Sequence, residues 1–550
     1  MLTMTCLSRL WRVTAVTSAL VAAGIGLTSK PQLAAALVPG HATARHATAG
    51  HATAGRVFEL PGESVRTLGV DPRTRTIWAG VSTTGKTDLV DKISETSGRV
   101  LARFPVPHGV QSIAVDPTAG DVWVSSGKSL VLTEIVESTS ATHQVSLAHA
   151  DLSVSDLTVD PVTGYAFVLT LQGLVVRITE ATRAVKVIAL TANSGPGVIG
   201  VDQKRAEVWT FGSAGDATQL LGFDENGTQL ADPLVFNDLP ALAMAIDPAA
   251  GRVWLAEQTS NPSEVVEVDE QSGSVVAGPF GSFTLPAALA ADPSAGTIWL
   301  ANFHVGTVTG ITEDGTTGNK GPARIGGPIA TGGFALSVAA DPTNGRVFAG
   351  GYMLGNGRNI AILTAFTPAA PAFTSPPLAW FAAAGGHTAT FQVTTAGFPA
   401  PSFAVSGRLP SWLAVSSRTG VVTVTRGHAV RPGVTAKFTI TAKNGIGSAT
   451  SQSLSVRIGS APVFSSAARL GLKAGKPAKF TIRASGVPVP VLKAGKGLPG
   501  GLRIKVGGHG QAVLSGTPFR SEAGHTYRVV ITATNPIGRP VTQTLRIKVT

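Results

Sequence analysis

The chain of 550 residues contains a single cysteine, Cys6, in its N-terminal segment. A lone thiol cannot form an intrachain disulfide, and metal sites built from several cysteines are excluded with it. Charged residues make up only 14% of the chain and aromatic residues 6%. Gly, Pro, Asn or Asp interrupt the apolar stretches about every ten residues. This pattern excludes a coiled coil or a helix bundle, and the length predicts several domains.

The N-terminus has the order of a secretory signal peptide. Arg9 and Arg12 precede an apolar run at residues 13–27, and small residues follow at 33–36. We therefore expect residues 1–36 to be removed and the protein to be secreted, either extracellular or associated with the cell envelope. A retained N-terminal anchor is the alternative, although this run of about fifteen residues is shorter than the roughly twenty that span a bilayer.

Residues 37–55 are rich in Ala and Thr and carry three histidines in His-Ala-Thr units, His41, His46 and His51. Imidazole is a common metal ligand, but a five-residue spacing matches neither a helix face nor a strand face. We interpret this segment as a flexible spacer. No metal and no cofactor is predicted for the protein.

An Asp-headed turn recurs seven times at intervals of 42 to 49 residues. Its aspartates are Asp71, Asp116, Asp160, Asp202, Asp247, Asp292 and Asp341. Seven residues after each stands a large aromatic residue: Trp78, Trp123, Phe167, Trp209, Trp254, Trp299 and Phe348. Asp can bond the backbone two residues on, and the Pro and Gly that accompany it in most copies favour a tight turn. Each copy therefore predicts a β-hairpin.

Four short strands fit into each repeat of about 45 residues, which is the size of one propeller blade. Seven copies predict a ring of seven blades at residues 56–366, with the aromatic residue wedged between neighbouring sheets. The seventh copy has room for only three strands. We expect the segment 56–60, ahead of the first copy, to complete the last blade and remove an open sheet edge.

These Asp-Pro turns and Val-Trp-Val strands resemble the secreted propellers of the YncE-like and streptogramin-lyase-like families over about residues 56–366. The resemblance implies a propeller fold, which in such proteins serves binding, lyase or lactonase functions. The lyases use a His/Glu/His constellation on one face of the ring. Here the ring contains His108, His143, His149 and His304 without a Glu-x-His pair, so those catalytic positions are not carried over.

A second repeat, with a period near 90 residues, follows the seven turns. Matching pairs of segments are 397–401 with 486–490, 409–413 with 498–502, and 441–444 with 532–535. Alternating apolar and polar residues between them predict two-layer sandwiches at 371–458 and 461–550. The predicted fold is thus all-β: a seven-bladed β-propeller followed by two tandem Ig-like β-sandwiches.

The Gly-x-Pro-x-Pro, Leu-Pro-x-x-Leu and Ala-x-Asn-x-x-Gly signatures of these sandwiches resemble the Putative Ig family of bacterial surface proteins, which is related to cadherin-like domains. Some cadherin-like domains bind calcium. We exclude calcium here because it needs several oxygen ligands, and Glu522 is the only acidic residue of the region.

Charge is divided unequally along the chain. From Phe373 onward there are 21 Lys and Arg and one acid, a net charge of +20, whereas residues 37–372 carry −11. Such asymmetry indicates an anionic partner. The candidate residues for binding an anionic polymer are Lys473, Lys476, Lys479, Arg483, Lys493, Lys496, Arg503, Lys505, Arg546 and Lys548. Alternatively, the cationic end rests against the acidic half of the same chain.

The mouth of the ring is the default ligand site of a propeller. The candidate ligand-binding residues lie in loops that enter the innermost strands and at polar positions on those strands. They are Arg66, His108, Gln111, Asp151, Asp156 and Asp238. Phe334 is predicted at the mouth as well. The alternative is that these polar groups are hydrogen-bonded to buried water and have no function. No catalytic residue is assigned.

The first functional hypothesis is an exported, non-catalytic binding or adhesion scaffold. Its propeller would recognise a protein or glycan ligand, and its basic sandwiches would associate with anionic cell-envelope polymer or a lipid surface. The alternative is a streptogramin-lyase-like lyase or a hydrolase acting at the propeller mouth. Nucleic-acid binding is disfavoured because the basic residues are not interleaved with aromatic residues suited to base stacking. We expect a monomer.

Overall fold

The computed structural model describes residues 55–550 except for several short gaps. The gaps are 86, 108, 128, 148–152, 192–194, 215–216, 238–240, 258–262, 284, 314–322, 384–388 and 425–429. The chain divides into two compact units, Met1–Pro368 and Ala369–Thr550. Almost all regular elements are β-strands, and in the described part no helix is long and apolar enough to cross a membrane.

The first unit contains seven four-stranded sheets among its described residues. Their first strands are β2 (Ser64–Asp71), β6 (Val110–Asp116), β10 (Val154–Asp160), β14 (Gly197–Asp202), β18 (Ala241–Asp247), β22 (Pro286–Asp292) and β26 (Phe334–Asp341). Their second strands are β3 (Thr76–Ser82), β7 (Asp121–Ser126), β11 (Tyr165–Thr170), β15 (Glu207–Ala214), β19 (Arg252–Glu257), β23 (Thr297–Asn302) and β27 (Arg346–Gly355).

The outer half of each sheet consists of two further antiparallel strands. The third strands are β4 (Thr87–Ser94), β8 (Val131–Val136), β12 (Leu174–Thr179), β16 (Ala217–Asp224), β20 (Ser263–Asp269), β24 (Thr307–Thr312) and β28 (Arg358–Phe366). The fourth are β5 (Val100–Pro107), β9 (Ala141–Ser146), β13 (Ala184–Leu190), β17 (Leu234–Asn237), β21 (Ser274–Phe283), β25 (Ala323–Ala330) and β1 (Arg56–Leu60).

The seven sheets form a closed ring. The first strands contact one another in chain order, and β26 contacts β2 to complete the circle. The first strand of each sheet is therefore the innermost one, as in a β-propeller. The last sheet is completed by β1, which pairs antiparallel with β28 so that Leu60 lies opposite Ala361. The prediction that the orphan strand closes the last blade is confirmed.

The repeated turn has the hydrogen bonds that its sequence predicts. In six copies the Asp carboxylate accepts a bond from the backbone N–H two residues on, and in the other copy Asp292 accepts one from the Ser294 hydroxyl. The position four residues after Asp needs a positive φ. Arg75 and Ala206 adopt φ values of 56° and 55° there, where other copies have Gly. The turn is therefore retained even without its glycine.

The aromatic residues of the repeat lie between neighbouring blades. All seven are buried, with exposed fractions of 3% or less. Trp78 packs with Ile113 and Val122 of the second blade, and Phe348 packs with Val65 and Ile77 of the first. The blade-to-blade contact is thus built mainly from apolar burial, which is worth about 25 cal/mol per Å² of surface removed from water. The predicted wedge is confirmed.

The second unit contains two sandwiches with matching strand order. The first is built from β29 (Ala369–Phe373), β30 (Leu378–Ala382), β31 (Ala389–Gln392), β32 (Thr395–Phe398), β33 (Ser402–Ser406), β34 (Leu413–Val415), β35 (Val421–Val424), β36 (Thr435–Lys443) and β37 (Thr450–Phe464). The second adds β38 (Arg469–Leu472), β39 (Ala478–Val487), β40 (Val491–Ala494), β41 (Leu502–Val506), β42 (Gln511–Gly516), a 3-10 turn (Arg520–Glu522), β43 (Thr526–Thr534) and β44 (Val541–Val549).

The two sandwiches share the long strand β37. Its first part pairs with β36 in the first sandwich, and its last residues pair with β39 in the second. In each sandwich the asparagine of the Ala-x-Asn signature donates hydrogen bonds to backbone carbonyls, one of them where the chain enters the sandwich. Asn444 donates to the Ala369 and Pro399 carbonyls, and Asn535 donates to the Ser460 and Pro488 carbonyls. The 90-residue repeat is therefore a repeat of structure.

Candidate functional site

The mouth of the propeller is shaped by a bulge that recurs at the same position. In six of the seven innermost strands, as far as the structure describes them, the pairing register shifts five residues before the turn Asp. The residues at the bulge are Arg66, Gln111, Ser155, Leu242, Ala287 and Leu336. By residue type these positions are polar in the first three blades and apolar in the last three.

Asp156 lies one residue after the bulge of β10 and connects three blades. Its carboxylate accepts hydrogen bonds from the Ser112 hydroxyl at 2.6 Å and from the Ile199 backbone N–H at 3.1 Å. The Leu157 backbone N–H donates a third bond at 2.9 Å. Burial raises the pKa of Asp156, and the three donors oppose that shift. The arrangement is that of a structural tie between the innermost strands β6, β10 and β14.

The other predicted mouth residues differ in their surroundings. Gln111 is exposed, and the buried Nε of Arg66 has no acceptor among the described residues. Arg66 and Gln111 occupy equivalent bulges in adjacent blades. The remaining three candidates, His108, Asp151 and Asp238, lie outside the described residues.

An aromatic cluster lies beside the last two blades at the same end of the ring. Phe334, the first residue of β26, stacks on Tyr352 of β27 with ring centroids 4.9 Å apart. Phe303, in the turn after β23, lies 5.5 Å from Phe334, and His304 lies 5.5 Å from Phe303. All four side chains are at least partly exposed. Sequence reasoning placed only Phe334 here, because Phe303 and Tyr352 belong to other strands and turns.

Buried carboxyl groups recur at the joints between blades, and the sequence analysis missed them. Each directly follows the third strand of a blade: Glu95, Glu137, Glu180, Glu225, Glu270 and Glu313. Five of these residues are buried as a whole, and so is the side chain of Glu137. Their distance from the turn Asp of the same blade varies from 20 to 24 residues because the hairpins differ in length. No fixed offset therefore reveals them.

At five joints the glutamate interacts with the turn Asp of the preceding blade. Burial and the neighbouring carboxyl group raise the pKa of Glu180, Glu270 and Glu313 to about 9. Cations also lie at two of these joints: Lys92 and Arg73 pair with Glu137 at 2.9 and 3.3 Å, and Arg205 pairs with Glu270 at 3.0 Å. Among the described residues, no group of three or more His, Cys, Asp or Glu side chains is placed to hold a metal ion.

The predicted polymer-binding cations of the second sandwich are all exposed but do not form one patch. Arg546, Lys548 and Lys493 lie on the outer face of the sheet β38-β44-β43-β40. A second group, Lys479, Arg483, Arg503 and Lys505, lies on the outer face of β39-β42-β41. The last three, Lys473, Lys476 and Lys496, lie in turns.

The fold adds two arginines that the sequence analysis did not select. Arg469 of β38 and Arg528 of β43 each lie directly opposite Arg546 of β44. Arg469 and Arg528 are 59 residues apart and Arg528 and Arg546 are 18 apart, so it is the strand register that brings them together. We call Arg469, Arg546 and Arg528 the arginine row.

The described cations of the second unit have no acidic side chain as an ion-pair partner. All ion pairs between described residues lie in the first unit. The one acid after Phe373, Glu522, accepts bonds from the Gly500 backbone N–H and the Tyr527 hydroxyl instead. Arg457 of the first sandwich lies over the Trp380 ring, 5.5 Å from its centroid. The second unit therefore presents cations to solvent without internal neutralisation.

The fold and these surfaces define an all-β protein with a ring of propeller blades and Ig-like sandwiches. A family described as "Putative Ig domain" matches residues 365–459, the span of the first sandwich. No curated protein matches the chain.

Three solved structures resemble the chain at a TM-score of 0.45. A hydrazine synthase of Kuenenia stuttgartiensis is 12% identical over 53% of this chain and 94% of that one. A structure of U3-55K is 14% identical over 56% and 98%, and the WD40 repeats of RRP9 are 14% identical over 57% and 98%. At this TM-score the propeller assignment rests on the sheet topology rather than on these structures.

Proposed function

We propose that this protein is an exported, non-catalytic binding scaffold of the propeller and Ig-like type. In this proposal the propeller mouth recognises a ligand, and the basic second unit associates with an anionic polymer of the cell envelope. A binding role agrees with the presence of an Ig-like domain and repeated four-stranded sheets. The observation that carries the proposal is the set of exposed, unpaired cations in the second unit.

The propeller contributes a second surface to this scaffold. Phe303, Phe334 and Tyr352 of the last two blades supply a partly exposed aromatic surface, and Arg66 and Gln111 supply polar groups on the first two blades, which follow next in the ring. Aromatic rings combined with a few polar groups are typical of ligand sites. Because Asp156 is committed to three internal hydrogen bonds, we remove it from the candidate ligand-binding residues.

The test is retention of the full-length protein on isolated cell walls of the producing cells, measured against NaCl concentration. Exposed ion pairs are each worth only about 0–1 kcal/mol, and about 1 M salt shortens the screening length to about 3 Å. We therefore expect strong retention in low salt, half-release at moderate NaCl and full release by about 1 M.

The charge variant replaces Lys473, Lys476, Lys493 and Lys496 with Gln. The control replaces the same number of exposed propeller residues, Arg99, Lys186, Lys204 and Arg358, with Gln. We expect the first variant to be released at lower salt than the second. Retention of the wild type in 1 M NaCl, or equal behaviour of the two variants, would contradict an electrostatic role for the second unit.

A further inference from the structure

The arginine row is an unusual arrangement in a β-sheet. Arg469 and Arg528 flank Arg546 directly on its two neighbouring strands. Adjacent strands are about 4.8 Å apart, so the row spans roughly 10 Å. Like charges directly opposite one another in a sheet destabilise it. The sandwich thus carries a local electrostatic cost that a bound anion would relieve.

The Ig-like fold itself does not require these arginines. The equivalent positions of the first sandwich, with the same strand pairing, are Leu378, Ser455 and Lys437. Ser455 lies between the other two just as Arg546 does in the second sandwich. The two sandwiches share their topology and their asparagine bonds, so the difference at these positions concerns the surface rather than the core.

Most side chains around the row are hydrogen-bond donors, and the exposed Val530 opposite Thr544 is the apolar exception among those paired next to it. Lys548 lies two residues from Arg546 on the same face, next to Thr526 of β43. Thr544 and Thr532 continue this face, and Lys493 of β40 lies opposite Thr532. No carboxylate occurs on these strands. The face therefore offers guanidinium, ammonium and hydroxyl donors to an anion and no competing charge.

From this geometry we infer that the arginine row binds the phosphate groups of a linear, phosphate-bearing polymer of the cell envelope. The inference rests on the proposed function and names the chemistry of the polymer and the surface that binds it. An Arg fork matches two oxygens of an anion. A planar carboxylate is occupied by one such fork, whereas the tetrahedral oxygens of phosphate extend toward several neighbouring arginines. A row of three suits closely spaced phosphates.

The test measures binding of the full-length protein to poly(glycerol phosphate), with polyglutamate of equal charge as the carboxylate probe. The row variant is Arg469→Gln/Arg528→Gln/Arg546→Gln. The matched control, Arg99→Gln/Lys204→Gln/Arg358→Gln, removes the same charge from exposed positions of the propeller. Since exposed charge contacts contribute up to about 1 kcal/mol each, the row variant should bind about 10- to 100-fold more weakly. The control should change binding by less than about threefold, because long-range attraction is screened by salt.

A third variant, Arg469→Lys/Arg528→Lys/Arg546→Lys, retains the charge but removes the forks. We expect it to lose the preference for the phosphate polymer over polyglutamate while still binding both. Thermal unfolding supplies a second measurement that needs no binding assay. Without polymer the row variant should be at least as stable as the wild type, and the polymer should raise the melting temperature of the wild type more than that of the row variant.

The outcomes separate the inference from the proposed function. Equal weakening by the row variant and its control would overturn the row as the site, while leaving association with anionic polymer intact. A wild-type protein that binds neither polymer would overturn both. Equal or tighter binding to single-stranded DNA would overturn the assignment to an envelope polymer, and wild-type selectivity in the Lys variant would overturn the role of the forks.

Discussion

Asp156 shows how one side chain at a propeller mouth stabilises the ring. It lies on an innermost strand, where a ligand site is expected, yet its oxygens accept bonds from residues of the second, third and fourth blades. Burial disfavours its charged form, and the three donors favour it. The carboxylate is therefore held by the blades that it joins.

Replacement of Asp156 by Ala should destabilise the propeller by about 3 kcal/mol, because the Ser112 hydroxyl and the Ile199 N–H lose their acceptor inside the ring. The measurement is urea unfolding followed by tryptophan fluorescence, which reports mainly on the buried tryptophans between blades. Gln111→Ala, at an exposed position nearby, is the control and should change stability by less than about 0.5 kcal/mol. Wild-type stability of the Asp156 variant would contradict the structural role.

Strand β1 is the element that turns a row of blades into a ring. It is the first described strand of the chain, but it pairs with β28 and completes the last sheet. Leu60 is buried, and the Phe58 ring lies over Gly98 so closely that a Cβ there would be 2.0 Å from it. Both ends of the propeller segment are thereby held in one blade.

Deletion of residues 1–60 should open the edge of β28, whereas deletion of residues 1–54 leaves β1 in place. Loss of the buried Leu60 side chain alone removes about 1.5–3 kcal/mol, and loss of the partly buried Phe58 adds to this. An unpaired edge also invites association. We expect a lower melting temperature and self-association on size exclusion for the longer deletion only. A monomeric, equally stable product of that deletion would show that β1 is dispensable for closure.

Sequence reasoning predicted more at the level of elements than at the level of contacts. The Asp turns, the buried aromatic residues and the closing strand follow from short-range chemistry and a regular period. The bulges at Arg66 and Gln111 do not follow from these patterns, because a register shift depends on which residues of two strands pair. The buried glutamates escaped notice for a related reason: hairpins of different length bring them to the same place.

At the scale of the whole propeller, pairs of carboxyl groups are distributed around the ring. Most joints between blades contain one such pair. At three of these joints, a raised pKa of the glutamate indicates that the carboxyl pair holds a proton. Glu180, Glu270 and Glu313 have folded-state pKa values of about 9, above the ordinary Glu value of about 4.3 in unfolded chains. The folded ring therefore binds protons that the unfolded chain releases.

The stability of the propeller should consequently fall as pH rises. The contribution of these protons is fully present below the unfolded-state pKa and is lost as pH approaches 9. We expect the melting temperature to be several degrees lower at pH 8.5 than at pH 5, and the variant Glu180→Gln/Glu313→Gln to show a flatter profile. Glu59→Gln, at an exposed position of β1, is the control. A melting temperature that rises between pH 5 and 8.5 would contradict protonated pairs.

Each turn depends on residues within four positions of one another, and the alternation of apolar and polar residues is a property of a single strand. Net charge is a sum over the chain. All three can therefore be derived from the linear sequence, and they led to the propeller, the tandem sandwiches and the basic second half. The position of each charge relative to the others depends on pairing between distant strands. Arg469, Arg528 and Arg546 became one row, and Asp156 a link between three blades, because strand register and ring closure bring together residues that are far apart in the chain.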